Sequence, residues 1–213
     1  MELQTPAQVG KSIAIGIARN RLIIFLFITL VASIAAAPSF LSSDGVWSVF
    51  SKLAAFSLSV RRGGSAFVFT FLLSLALYLV FGFAAYLCGI SLSGRVFAFF
   101  TIAAYGFFFG AFDGVFYSVA GTDGLLICLA IYIIPFSVSS FALLLGCREA
   151  FTFSSMLSKA FSPKLEPMNF HSDFRLYCLR FIFVACLLAA SALLAAVLNS
   201  AFIPLFDATV ALS

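Results

Sequence analysis

The sequence predicts an all-α integral membrane protein, a polytopic bundle of five transmembrane helices in one domain spanning residues 1–213, with the N-terminus inside and the C-terminus outside. Three observations carry this expectation. Of 213 residues, 63% are hydrophobic and 9% charged, against roughly 45–50% and 25% in a soluble domain. The 12 basic and 8 acidic side chains are too few to coat a water-soluble globule, whereas a bilayer accepts apolar surface freely. The apolar residues also gather into five runs, each able to cross about 30 Å of hydrocarbon as a helix. None of these runs alternates as a barrel strand would, and hydrocarbon offers no partner to open backbone, so helix is the consistent state. Soluble-enzyme, disordered and nucleic-acid-binding classes are excluded on the same grounds.

The first span, residues 22–41, follows Arg19 and Arg21 and reads LIIFLFITLVASIAAA before Pro38. Its basic lead and Ala35, Ala36 and Ala37 also fit a secretory signal peptide with an A-x-A cleavage site. Continuation through Phe40 and Leu41 favours a retained span. Next comes an outer segment, residues 43–62, with Ser43 and Asp44 as caps and Val46, Trp47, Phe50, Leu53, Ala54 and Phe56 at roughly helical spacing. It reads as an amphipathic helix on the outer surface, either an interfacial anchor with Trp47 at headgroup level or a docking face for an extracellular partner.

The second span, residues 66–87, is entered through Arg61, Arg62, Gly63 and Gly64. The third, residues 96–120, follows Arg95 and is closed by the turn residues Gly121, Thr122, Asp123 and Gly124. On it Gly106, Gly110 and Gly114 stand four apart, a single helix face that permits close backbone approach, within the chain or by a partner helix. Asp113 is the acid inside an apolar run, and an intramembrane acid is a candidate polar site. It lies about 27 Å along the helix from Arg95, near the outer boundary.

The fourth span, residues 125–147, ends at Arg148 and Glu149. Its Pro135, near mid-membrane, predicts a kink, with Ser137, Ser139 and Ser140 placed to satisfy what the kink leaves open. A cytoplasmic loop over residues 148–180 follows, in which Phe153, Met156, Leu157, Ala160 and Phe161 extend the helix before the breaker-rich SPKLEPMNFHSD. Its basic residues meet anionic headgroups at about 1 kcal/mol each. The fifth span, residues 181–203, follows Arg180 and exits at Pro204.

Orientation comes from the basic residues. With the N-terminus inside, the cytoplasmic segments hold Lys11, Arg19, Arg21, Arg95, Arg148, Lys159, Lys164, Arg175 and Arg180, and the outer ones Lys52, Arg61 and Arg62. The heavier basic side is the cytoplasmic one.

Catalytic and metal-binding patterns are sparse. Cys88, Cys128, Cys147, Cys178 and Cys186 show no C-x-x-C spacing, and a lone His171 builds no His-rich metal site. The sequence carries no H-E-x-x-H, phosphate-binding loop or G-x-S-x-G. The expectation is a protein that is not an enzyme and takes no cofactor.

A basic N-terminal tail, a first span, an outer amphipathic segment, the glycine-rich YGFFFGAFDG (105–114), a tight outer turn, the proline-bearing YIIPFSVSS (132–140), a basic loop and a last span follow one another in an order that resembles the stage II sporulation protein M family. The resemblance runs from about Arg19 to Pro204, and the turn CGISLSGR (88–95) departs from it in lacking a proline. It implies a five-span cell-membrane protein that acts as a scaffold for peptidoglycan-degrading partners during engulfment in sporulation. The function expected is therefore a non-catalytic scaffold that recruits cell-wall hydrolases through Trp47, Phe50, Leu53 and Phe56 or through the glycine face. The alternative is a small permease, or the transmembrane subunit of a transporter, using Asp113 and the Pro135 kink.

Overall fold

The computed structural model describes residues 6–40, 48–52, 66–160 and 170–210. Helices α1 (Pro6–Phe40), α2 (48–52), α3 (Ala66–Ile90), α4 (Gly94–Ala160) and α5 (Phe170–Val210) make up those residues, apart from the three-residue turn 91–93. Within them, five segments are long and apolar enough to cross a membrane: Arg21–Ser39, Phe67–Ile90, Gly94–Val115, Ile131–Ser158 and His171–Phe202.

The third and fourth segments both belong to α4. At 67 residues this helical run would measure about 100 Å if straight, yet its two ends meet. Arg95 donates to Ser158 Oγ at 2.5 Å, the Phe99 and Phe151 rings lie 6.3 Å apart, and Tyr105 reaches Ser139. Such pairs, with one partner advancing as the other retreats, define an antiparallel hairpin centred near residues 122–126. The chain thus reverses beside Gly121, Thr122, Asp123 and Gly124, as expected, but with the backbone helical through the reversal.

Neighbours alternate in direction. The first arm of α4 runs against α3, with Cys88 Sγ 3.6 Å from Thr101 Oγ1 and Phe81 on Tyr105. Contacts of Glu149 with Arg180 and Phe153 with Tyr177 show α5 running against the second arm. Tyr177 on Tyr86 and Asn199 on Thr70 show α5 against α3 as well. By contrast, α1 runs parallel to the first arm, Leu30 and Ser33 facing Gly106 and Ile34 facing Gly110. The start of α1 and the finish of α5 therefore stand at opposite ends of the bundle.

The main core joins Leu26 and Leu30 of α1, Tyr78 and Ala85 of α3, Ile102 and Leu143 of the two arms, and Val184 and Leu188 of α5. A smaller cluster of Ala37, Ala111 and Val115 closes the end bearing α2. Outside, Phe25, Val80, Phe83, Phe100 and Ile182 each expose more than half their surface, a continuous apolar coat that water would not tolerate and that lipid solvates.

Two boundaries differ from expectation. Over the cytoplasmic segment 148–180, α4 continues to Ala160, the helical extension that the sequence indicates, but α5 begins at Phe170, well before the expected start at Phe181. Burial of the apolar side of each extension explains why: Phe153 and Tyr177 stack on each other with centroids 4.5 Å apart. Likewise α1 begins at Pro6, well before the first apolar run. The α3–α4 turn is tight because Gly94 has no side chain. A Cβ there would collide with the Cys88 carbonyl, and the Ser91 carbonyl accepts from both Gly94 N–H and Ser154 Oγ.

Candidate functional site

Pro135 is fully buried on the second arm of α4. Lacking an N–H, it leaves the Ile131 carbonyl without its helical donor, while its own carbonyl gains two side-chain donors. Ser139 Oγ donates at 2.8 Å and Ser191 Oγ of α5 at 2.6 Å. From the first arm, Tyr105 Oη shares a 2.5 Å hydrogen bond with Ser139 Oγ, its ring held 5.2 Å from Phe81 and 5.4 Å from Phe136. Three segments thus converge on one carbonyl at mid-bundle, where each interhelical hydrogen bond contributes about 0.6–2 kcal/mol. Ser140 Oγ, next along the helix, is buried and has no hydrogen-bond partner among the described residues. Ser137 instead points out and bonds back to Ile133.

At the end of the bundle that holds Arg95 and Ser158, Glu149 is 7% exposed and forms ion pairs with Arg148 and with Arg180 of α5. A buried carboxylate is tolerable only with such compensation. Beside it Tyr177 donates to the Tyr86 carbonyl at 2.7 Å. A small cavity of about 100 Å³ opens here between the second arm and α5, lined by Glu149, Thr152, Asp173, Tyr177 and Arg180 among others.

The glycine face is an internal seam. At Gly110 an added Cβ would lie 2.5 Å from the Ile34 carbonyl oxygen and 2.9 Å from Ile34 Cα; at Gly106 it would lie 2.8 Å from the Leu30 carbonyl oxygen. Pro38 cannot return a hydrogen bond to Ile34, so the carbonyl it frees is the one that the bare Gly110 backbone covers. Gly114 is half-buried further along, and Asp113 is half-buried beside it. Asp113 lies about 12 Å along the arm from Tyr105, so acid and hydroxyl cluster form separate features.

Phe50 on α2 faces inward, 6.4 Å from Phe107 and 5.6 Å from Phe108, and packs against the Ala37, Ala111 and Val115 cluster. Val49 and Lys52 face outward. Trp47, Leu53 and Phe56 lie outside the described residues.

Between α3 and α5 runs an apolar groove of about 620 Å³, walled by Ala76, Val80 and Phe83 on one side and Cys178, Ile182 and Ala185 on the other. Gly82 lets the two helices approach at its floor, where an added Cβ would lie 2.7 Å from Leu188 Cδ1.

Ser139 bonds the carbonyl of Pro135 itself rather than the Ile131 carbonyl that the proline frees, and the structure adds Tyr105 and Ser191, which no local pattern marks. It also brings Arg148, Glu149 and Arg180 together. Their placement at matching ends of successive antiparallel spans was the available signal. Among the described residues, no group of three or more His, Cys, Asp or Glu side chains is placed to hold a metal.

Five apolar helical segments of alternating direction, coated outside by aliphatic and aromatic side chains and cross-bonded inside by hydroxyls, define a multi-pass membrane protein. Comparison with family models, with curated proteins and with solved structures found no match.

Proposed function

We propose that the protein is a non-catalytic scaffold of the cell membrane that recruits or positions peptidoglycan-remodelling partners, the role that its resemblance to the stage II sporulation protein M family implies. The observation that supports this reading is α2. Phe50 pins the segment to Phe107 and Phe108, and that fixed seat turns Val49 and Lys52 away from the bundle. A partner would meet a positioned surface there, held on a seam of close-packed glycines. The experiment is affinity purification of a tagged copy from mildly solubilised native membranes, with Val49→Glu and Phe50→Ala variants alongside. Cell-wall hydrolases should accompany the unaltered chain and be lost with Val49→Glu at unchanged abundance. Equal recovery from all three chains would remove α2 as the docking surface.

A second reading, a small permease or the transmembrane subunit of a transporter, is favoured by the hydroxyl cluster of Tyr105, Ser139, Ser140 and Ser191 at mid-bundle. Co-purification of an ATPase would support it. So would substrate flux in proteoliposomes that falls with Ser191→Ala and Asp113→Asn.

A further inference from the structure

We propose that the α3–α5 groove is a binding site for one anionic phospholipid, with an acyl chain along the groove and the phosphate at Arg175 and His171. On α5, His171, Arg175, Cys178, Ile182 and Ala185 follow one another at spacings of three and four, so they form a single stripe of the helix. The last three line the groove. Arg175 and His171 are exposed and continue the same stripe beyond its mouth, about 4.5 and 10.5 Å along the axis from Cys178.

Charge distinguishes this stripe from the rest of that end of the bundle. Glu149, Asp173 and Arg180 line the small cavity on the other side of α5, against the second arm of α4. The groove face thus presents cationic and imidazole donors without either acid. The guanidinium of Arg175 offers a planar fork matched to phosphate, and a choline or ethanolamine headgroup would bring a second cation toward it. Where the groove meets this polar end, the hydroxyl of Tyr86 lies 3.7 Å from Cys178 Sγ, which places a hydrogen-bonding group at the level of the ester linkages. Below that point the lining is aliphatic and aromatic, as an acyl chain requires. The site is distinct from the α2 surface at the opposite end, so it stands or falls independently of the scaffold reading.

The test uses the full chain, delipidated in mild detergent, titrated with phosphatidylglycerol or with phosphatidylcholine of the same acyl chains and read by native mass spectrometry. One phosphatidylglycerol should be retained in preference to phosphatidylcholine. Arg175→Gln should weaken its retention about fivefold and that of phosphatidylcholine by less, so that the preference between the two narrows. Ala76→Trp, which fills the groove from its lipid-facing wall, should weaken both; Val80→Trp serves the same end if that variant does not fold. Inorganic phosphate at matched concentration should not displace the lipid. Equal retention of the two lipids, indifference to Arg175→Gln, or displacement by inorganic phosphate would overturn the proposal. A dimer cross-linked through a cysteine at position 76 would also overturn it, assigning the groove to a second copy of the chain.

Discussion

Leucine at position 110 would push a side chain against the Ile34 backbone, which cannot rotate away as a side chain can. The first arm and α1 would separate, and Gly110→Leu is expected to lower stability by about 1–3 kcal/mol, read as a lower unfolding midpoint in detergent. Gly146 is the contrasting case. A Cβ there would meet Val184 Cγ1 at 3.4 Å and Phe181 Cε1 at 3.5 Å, ordinary packing distances, so Gly146→Ala should be neutral or stabilising by up to about 1 kcal/mol through helix propensity. At Glu149 the energetics are electrostatic. Glu149→Ala leaves Arg148 and Arg180 with no shared carboxylate, and with Arg180 half exposed the cost is discounted to about 2 kcal/mol. Adding Arg180→Leu should recover part of it in the same unfolding assay. The sequence marked Gly110 and Pro135 because glycine spacing and a membrane proline are local signals. Tyr105 and Ser191 carry no such signal, since a hydroxyl becomes informative only once the helix opposite is known.

The element that most rewards testing is α4. Cysteines in place of Arg95 and Ser158, in a chain whose native cysteines have been replaced, should form a cross-link without a long spacer. A straight helix would hold these positions about 95 Å apart, so failure to cross-link would refute the hairpin. The five runs and the reversal near Gly121 were readable from hydropathy and turn residues. The extension beyond Glu149 was readable from Phe153, Met156, Leu157 and Ala160 at helical spacing, whereas the one before Arg180 was not, because charged and turn-forming residues there outweigh the apolar ones. Tertiary contact settles the matter: Phe153, Tyr177 and Phe181 form one aromatic stack that pays for ordering both extensions.

Across the whole molecule, alternation of direction places α2 and the start of α5 at opposite ends of the bundle. Membrane-impermeant thiol reagents should therefore label Lys52→Cys from one face of the membrane and Ser172→Cys from the other; labelling of both from one side would break the arrangement. The expectation from the distribution of basic residues, position 172 at the inner face, is tested by the same labelling.

The hairpin also bears on how the chain reaches its final state. Gly94 leaves only three residues between α3 and the first arm, and the arms reverse without any long polar stretch between them. A lone second arm in hydrocarbon would satisfy its Pro135 carbonyl with a single side-chain donor, its own Ser139 Oγ. Entry as a pair adds the Tyr105 hydroxyl to Ser139 at once, and arrival of α5 adds Ser191 as a second side-chain donor to that carbonyl. Biogenesis would then proceed in the order of the hydrogen bonds, with the α4 pair as the seed and α5 as the closing step.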